Sequence, residues 1–205
     1  MHYFFTLITA VFFILPNSAG ELESTLNQDI NAVMTKVTDW RHHFHEFPEL
    51  SNREFKTQKS ISEALIEMGL QPNTEYAKTG VVAFIRGKNP GPLIALRADI
   101  DGLPVTEKLN LPFSSKQRTT YQGNDVGVMH ACGHDAHIAT LLGVASFLSQ
   151  HTDKLNGDIL LIFQPAEEGA PEGEEGGAEL MLKEGLFEAE KPDAIFGMHV
   201  SNSKH

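Results

Sequence analysis

Val128-Met129-His130-Ala131-Cys132-Gly133-His134-Asp135-Ala136-His137 gathers the only cysteine of the 205-residue chain, three of its ten histidines and an aspartate into ten positions. Soft and borderline ligands this close together point to a transition-metal site. Directly afterwards Ile138, Leu141, Leu142, Val144, Ala145 and Leu148 recur at helical spacing, which predicts a helix over Ala136 to Leu148. Cys132, His134 and Asp135 then fall at or just before its N-terminus, where the partial positive charge favours thiolate over thiol and suits a carboxylate. One cysteine excludes an intramolecular disulfide framework. Cys132 is left as a core residue, a reactive thiol or a metal ligand.

Reading outward, Gly157 opens Ile159-Leu160-Leu161-Ile162-Phe163, an unbroken apolar run expected of a strand buried on both faces. It ends in Gln164-Pro165-Ala166-Glu167-Glu168-Gly169. Ala194 to Val200 is a second buried-looking strand, ending on His199. Upstream, Leu109 to Gly127 has no period and reads as a long surface excursion. Val81–Ile85 and Pro92–Leu96, joined by Lys88-Asn89-Pro90-Gly91, read as a hairpin. The second of these runs leads into Arg97-Ala98-Asp99-Ile100-Asp101-Gly102-Leu103-Pro104. Leu26, Ile30, Val33, Val37, Trp40 and Phe44 mark an amphipathic helix from Leu22 to about Phe47, stopped by Pro48. Ser51-Asn52-Arg53-Glu54 fits a capping box opening a second helix, with Phe55, Ile61, Leu65 and Met68 inward and Gly69 at its end. Strands alternating with helices imply an α/β fold: a mainly parallel central sheet flanked by helices, with the C-terminal strand ends gathered on one side.

That side collects Asp99, Asp101, Glu167, Glu168 and His199 with Cys132 and His134. One thiolate, two imidazoles and carboxylates suit Zn²⁺, Mn²⁺, Co²⁺ or Ni²⁺ better than Mg²⁺ or Ca²⁺. Neighbouring side chains at a strand end point to different sides, so one glutamate is expected to ligate while the other works as general base and then acid. Plainer readings exist for both acidic stretches, a backbone turn at Asp99–Gly102 and a solvated loop at Glu167–Gly169. The length and a 41% hydrophobic content fit one well-cored domain. A net charge of −11, with sixteen Lys and Arg forming no basic stripe, argues against nucleic-acid partners and anionic membrane surfaces. Tyr3 to Leu15, broken by Pro16 and followed by Asn17-Ser18-Ala19-Gly20, resembles a secretory signal. Residues 1–20 are therefore set apart from the fold, and a secreted or periplasmic location is expected.

From Trp40 to Val200 the chain resembles the aminoacylase-like metallopeptidase superfamily, in its amidohydrolase branch of hippurate hydrolases, N-acyl-amino-acid amidohydrolases and auxin-conjugate hydrolases. Five stretches in order carry the resemblance: Arg41 to Ser51 (Arg-x-x-x-His-x-x-Pro-Glu-Leu-Ser), Arg97 to Pro104, Met129 to His137, Phe163 to Gly169 and Gly197 to Val200. The resemblance implies two divalent transition-metal ions, with Cys132, His134, Glu168 and His199 as ligands and the thiolate bridging. It implies Glu167 as general acid/base and Asp101 as a supporting acidic residue orienting the metal site or the base. His45, His130, Asp135 and His137 match motif positions with supporting roles. The implied reaction is hydrolysis of the amide bond of a small N-acyl-amino acid. Family members are roughly twice as long, with an inserted dimerisation domain and a further histidine ligand after the equivalent of His199. Residues 21–205 therefore read as an incomplete catalytic domain, and the family's homodimer contact is not expected in this chain. Two rival readings are a truncated, non-catalytic relative that binds metal weakly or not at all, and thiol catalysis by Cys132 with His130 or His134.

Overall fold

The computed structural model describes residues 18–201, with side chains from Ile30 onward. In chain order the elements are α1 (Ser18–Glu46), α2 (Phe55–Glu67), β1 (Val81–Ile85), β2 (Asn89–Asp99), β3 (Arg118–Tyr121), β4 (Asn124–Gly127), α3 (His134–Ser149), β5 (Asn156–Gln164), α4 (Gly177–Lys183) and β6 (Ala194–Gly197). The proposed leader lies outside the described residues except for Ser18–Gly20, which begin α1. Among the described residues no helix is long and apolar enough to cross a membrane.

The apolar run of β5 has no polar face, and the fold covers both. Leu161 and Phe163 join Val81, Ala83, Ile85 and Ala98 in a core closed by Phe44 of α1, Ile61 and Leu65 of α2, and Ile138, Leu141 and Leu142 of α3. Leu160 and Ile162 point the other way, onto Val82, Ala95 and Met181 of α4. Burying each large apolar side chain contributes about 1.5–3 kcal/mol, so β5 belongs in the sheet's interior. The strand order is β1-β5-β2-β6. β5 and β2 are parallel, as are β2 and β6, and β1 is antiparallel to β5. The expected α/β architecture with a mainly parallel sheet is present.

Several local expectations are overturned. β1 and β2 do not pair as a hairpin. β5 enters between them, because a strand apolar on both faces would leave half its surface wet at an edge. The chain is drawn tight at this insertion: a Cβ on Gly91 would strike the backbone of Asn156, and one on Gly157 (φ +99°) would strike Pro92. The surface excursion contains a hairpin of its own, β3–β4, turned by Gln122 (φ 48°) and Gly123 (φ 78°). β3 is exposed throughout, so no alternation marked it in the sequence. β6 is an edge strand, with Ile195 54% and Phe196 59% exposed, not the buried strand its composition implied.

The capping box is also absent. α2 starts at Phe55, its N-cap Glu54 makes no side-chain cap bond, and Phe55 is 56% exposed. The cap comes from Glu49, whose Oε2 accepts from the amides of Lys56 and Thr57, both at 2.8 Å. Ser51 and Glu54 are turned inward to other work. Glu49→Ala should therefore cost about 1 kcal/mol in urea unfolding; no loss would return the cap to Ser51.

Candidate metal centre

The C-terminal ends of β2, β5 and β6 and the N-terminus of α3 meet at one place, and Asp101 ties the β2, β5 and α3 ends together. Its Oδ1 accepts from the Glu167 amide at 3.0 Å, and its Oδ2 from the Glu168 amide at 3.0 Å and Ser51 Oγ at 2.7 Å. Its backbone carbonyl takes His134 Nδ1 at 2.8 Å. Burial opposes ionisation of this carboxyl, yet the donors from His134, Ser51 and the two amides hold it below the usual range. Asp101 is 1% exposed and surrounded by its own donors, so it positions the neighbouring groups.

The turn that carries the glutamates is built around Ala166, a non-glycine residue at φ 48°. Its amide donates to Glu54 Oε1 at 2.9 Å, and Thr79 Oγ1 donates to Glu54 Oε2 at 2.7 Å. Glu54 is fully buried, and burial pushes its pKa up to about 7. Because the chain turns here, the two glutamates do not diverge as in an extended strand. Glu167 Oε2 and Glu168 Oε1 lie 3.6 and 3.8 Å from His134 Nε2.

His134 opens α3, preceded by Gly133 at φ 89° in the left-handed region. A side chain at Gly133 would collide with Val200, so glycine is required there twice over. In the neutral ring His134 Nδ1–H donates to the Asp101 carbonyl and the lone pair falls on Nε2, which is buried and without a hydrogen-bond partner among the described residues. That arrangement is how proteins fix a metal-binding tautomer. Ligand atoms of Cys132, His134 and Glu168 all lie within 4.8 Å of one another, and His199 Nε2 is 3.5 Å from Cys132 Sγ. The four residues expected as ligands are thus brought together. The expected helix-terminus effect on the thiol is reversed: burial and the carboxylates of Glu168, Glu167 and Asp99 push its pKa up to about 11. A divalent cation held here would offset this, because a coordinated thiol gives up its proton.

Asp99, His134 and His137 form a second group of potential ligands. His137 is already committed: Val200 N–H donates to Nε2 at 3.0 Å, so Nδ1 carries the proton and donates to Asp99 Oδ1 at 2.6 Å. Arg97 Nη1 grips the other Asp99 oxygen at 2.7 Å. The chain Arg97–Asp99–His137 thereby holds the backbone next to His199. His130 is buried, and neither ring nitrogen has a hydrogen-bond partner among the described residues; burial pushes its pKa down to about 4. Cavities of about 830 Å³, bordered by Ser51, Gly102 and Glu168, and about 780 Å³, bordered by His130, Cys132 and His199, adjoin the cluster.

Sequence reasoning missed Glu54, Ser51, Arg97 and Glu107. Local pattern explained the first two as a cap, and no spacing linked Glu107 to the site. Glu107 Oε1 lies 3.3 Å from His45 Nε2, while Asp135 Oδ2 lies 2.8 Å from Nδ1. The hydrogen bond to Asp135, opposed by burial and aided by Glu107, raises the His45 pKa above its usual value of 6.5. A raised folded-state pKa adds stability that is complete below the unfolded value and lost as pH rises through the folded one. His45→Asn should therefore cost about 1–3 kcal/mol near pH 6 and clearly less at pH 9 in urea titrations. Equal costs at both pH values would refute the charge contribution.

Comparison with known proteins agrees with this geometry. Residues 95–205 match the peptidase family M20/M25/M40. Thermostable carboxypeptidase 1 of Saccharolobus solfataricus is 42% identical over 184 residues, covering 89% of this chain and 44% of that protein. The hippurate hydrolase of Campylobacter jejuni is 43% identical over 159 residues, covering 78% of this chain and 38% of that protein. The crystal structure of the Bacillus subtilis YXEP protein, described as a dinuclear metal-binding peptidase, aligns with a TM-score of 0.72 at 43% identity, covering 83% of this chain and 44% of that one. The chain spans less than half the length of these relatives. With more than half of its residues matched by that family, the chain belongs to the peptidase family M20/M25/M40.

Proposed function

We propose that the chain carries the metal-binding portion of an amidohydrolase that splits the amide bond of small N-acyl-amino acids. The observation that supports this most is the convergence of Cys132, His134 and Glu168 within 4.8 Å around an orphaned, buried imidazole nitrogen. A thiol, two imidazoles and a carboxylate fit Zn²⁺, Mn²⁺, Co²⁺ or Ni²⁺. Cys132, His134, Glu168 and His199 would hold a pair of such ions. When bound, the ions supply Lewis-acid polarisation of the scissile carbonyl and lower the pKa of the attacking water. Glu167, beside the cluster and 38% exposed, takes the proton from that water and passes it to the leaving amine. Asp101 keeps both glutamate amides in place while this happens. The two adjoining cavities are of a size that suits small-molecule ligands. Export to the periplasm or outside the cell is part of the proposal on sequence alone, from Tyr3–Leu15 and the small residues after it.

Metal binding without turnover is the second reading. It draws on the exposed apolar edge at β6, directly beside His199. Thiol catalysis is disfavoured, because the Cys132 thiol is pushed up to about 11 and its hydrogen-bonding ring is His199, not His130 or His134.

Purified chain should release amino acid from N-acetyl- or N-benzoyl-amino acids, lose that activity with a chelator and regain it with Mn²⁺, Zn²⁺, Co²⁺ or Ni²⁺. Activity that survives exhaustive chelation would sink the metal reading. Glu167→Gln should lower kcat by about 10²–10⁴-fold while metal content, measured on the same sample, stays unchanged. Stoichiometric metal with no turnover in the unmodified chain would favour the second reading.

A further inference from the structure

We propose that Glu54 is a positioning residue for the metal centre, holding the Ala166 turn in its left-handed conformation so that Glu167 and Glu168 face His134. The proposal rests on the metal-centre reading above and extends it to a residue some 110 positions away in the chain, |i−j| = 112. Three consecutive amides, those of Ala166, Glu167 and Glu168, are each taken by a buried carboxylate: the first by Glu54, the other two by Asp101. Glu54 has no other evident duty. It precedes α2 without capping it, and Glu49 performs that task. A fully buried carboxyl is costly to keep, and here both its oxygens are spent on the turn and on the equally buried Thr79.

The conformation being held is one that alanine avoids. At φ 48° the Ala166 Cβ crowds its own backbone, and extended or right-handed geometry is preferred. Without the Glu54 acceptor, Ala166 is free to relax toward negative φ. That change re-aims the next peptide and carries Glu168 away from Cys132 and His134. Glutamine keeps the contact, since its amide oxygen accepts from Ala166 and its NH₂ donates to Thr79 Oγ1. Glycine at 166 needs no clamp, because it adopts positive φ without steric cost.

These consequences are read by titrating the full chain with Co²⁺ and following the thiolate-to-cobalt charge-transfer absorption, with circular dichroism as the fold control. Glu54→Gln should bind Co²⁺ like wild type. Glu54→Met should bind about 10- to 100-fold more weakly, the usual consequence of losing a supporting contact to a ligand. The double variant Glu54→Met/Ala166→Gly should recover most of that affinity, an outcome that general loss of packing would not produce. Unchanged binding in Glu54→Met, binding in Glu54→Gln as weak as in Glu54→Met, or no recovery in the double variant would each overturn the proposal. If Glu54→Met does not fold, Thr79→Val takes its place, removing the donor that fixes Glu54 Oε2. Wild-type affinity in that variant likewise overturns it. A wild-type chain that takes up no Co²⁺ removes the metal centre as well, whereas the preceding outcomes remove the clamp alone.

Discussion

A single buried residue, Asp101, joins three of the pieces of chain from which the site is made. β2 delivers it, the β5 turn donates two amides to it, and α3 docks His134 on its carbonyl. Burying a charge is unfavourable unless donors surround it. Here the donors are the backbone and side chains that must be placed for a metal to bind, so satisfying Asp101 and assembling the site are one event. The cost of leaving any one of these partners unmade, about 1–3 kcal/mol for a buried polar group, keeps the geometry in place before any ion arrives.

The sheet makes that meeting possible. β5 is apolar on both faces and takes a central place, with β2 beside it in parallel, so the ends of both strands emerge on the same side. β6 pairs its last residue, Gly197, with Arg97 of β2 and leads into His199 at the same end of the sheet. α3 packs Ile138, Leu141 and Leu142 onto the core, and this pins its N-terminus against the strand ends. Apolar burial therefore does the coarse placement, and hydrogen bonds accepted by Asp101 and Glu54, with that of the Asp99–His137 pair, set the final positions.

The electrostatics of the cluster favour a cation. Burial and the carboxylates of Glu168, Glu167 and Asp99 keep the Cys132 thiol protonated, while the unpartnered Nε2 of His134 faces the same point. A divalent ion coordinated by this thiol would take the place of its proton, so its affinity would rise with pH. Of the carboxylates in the neighbourhood, Glu167 and Glu168 remain partly exposed, whereas Asp99 and Asp101 are sealed. That contrast separates groups able to meet a substrate from groups that serve the architecture.

Much of this was legible in the chain itself. The density of ligand types in Met129–His137, the doubly apolar run Ile159–Phe163 and the helical spacing after His134 identify the element types and where candidate ligands gather, because composition and periodicity report directly on burial and on metal chemistry. Strand pairing was not legible: Val81–Ile85 and Pro92–Leu96 look like neighbours until β5, sixty positions on, proves to need two covered faces. Nor was the role of Glu54, since Ser51-Asn52-Arg53-Glu54 satisfies a local capping rule equally well, and only the approach of Ala166 and Thr79 reveals the other use. The sequence by itself thus determined which residues can bind metal and which surfaces must be buried. The tertiary structure alone decided which carboxylates are sealed among their own donors, which stay open to solvent and which nitrogen of His134 faces the cluster, because those outcomes depend on partners far apart in the chain.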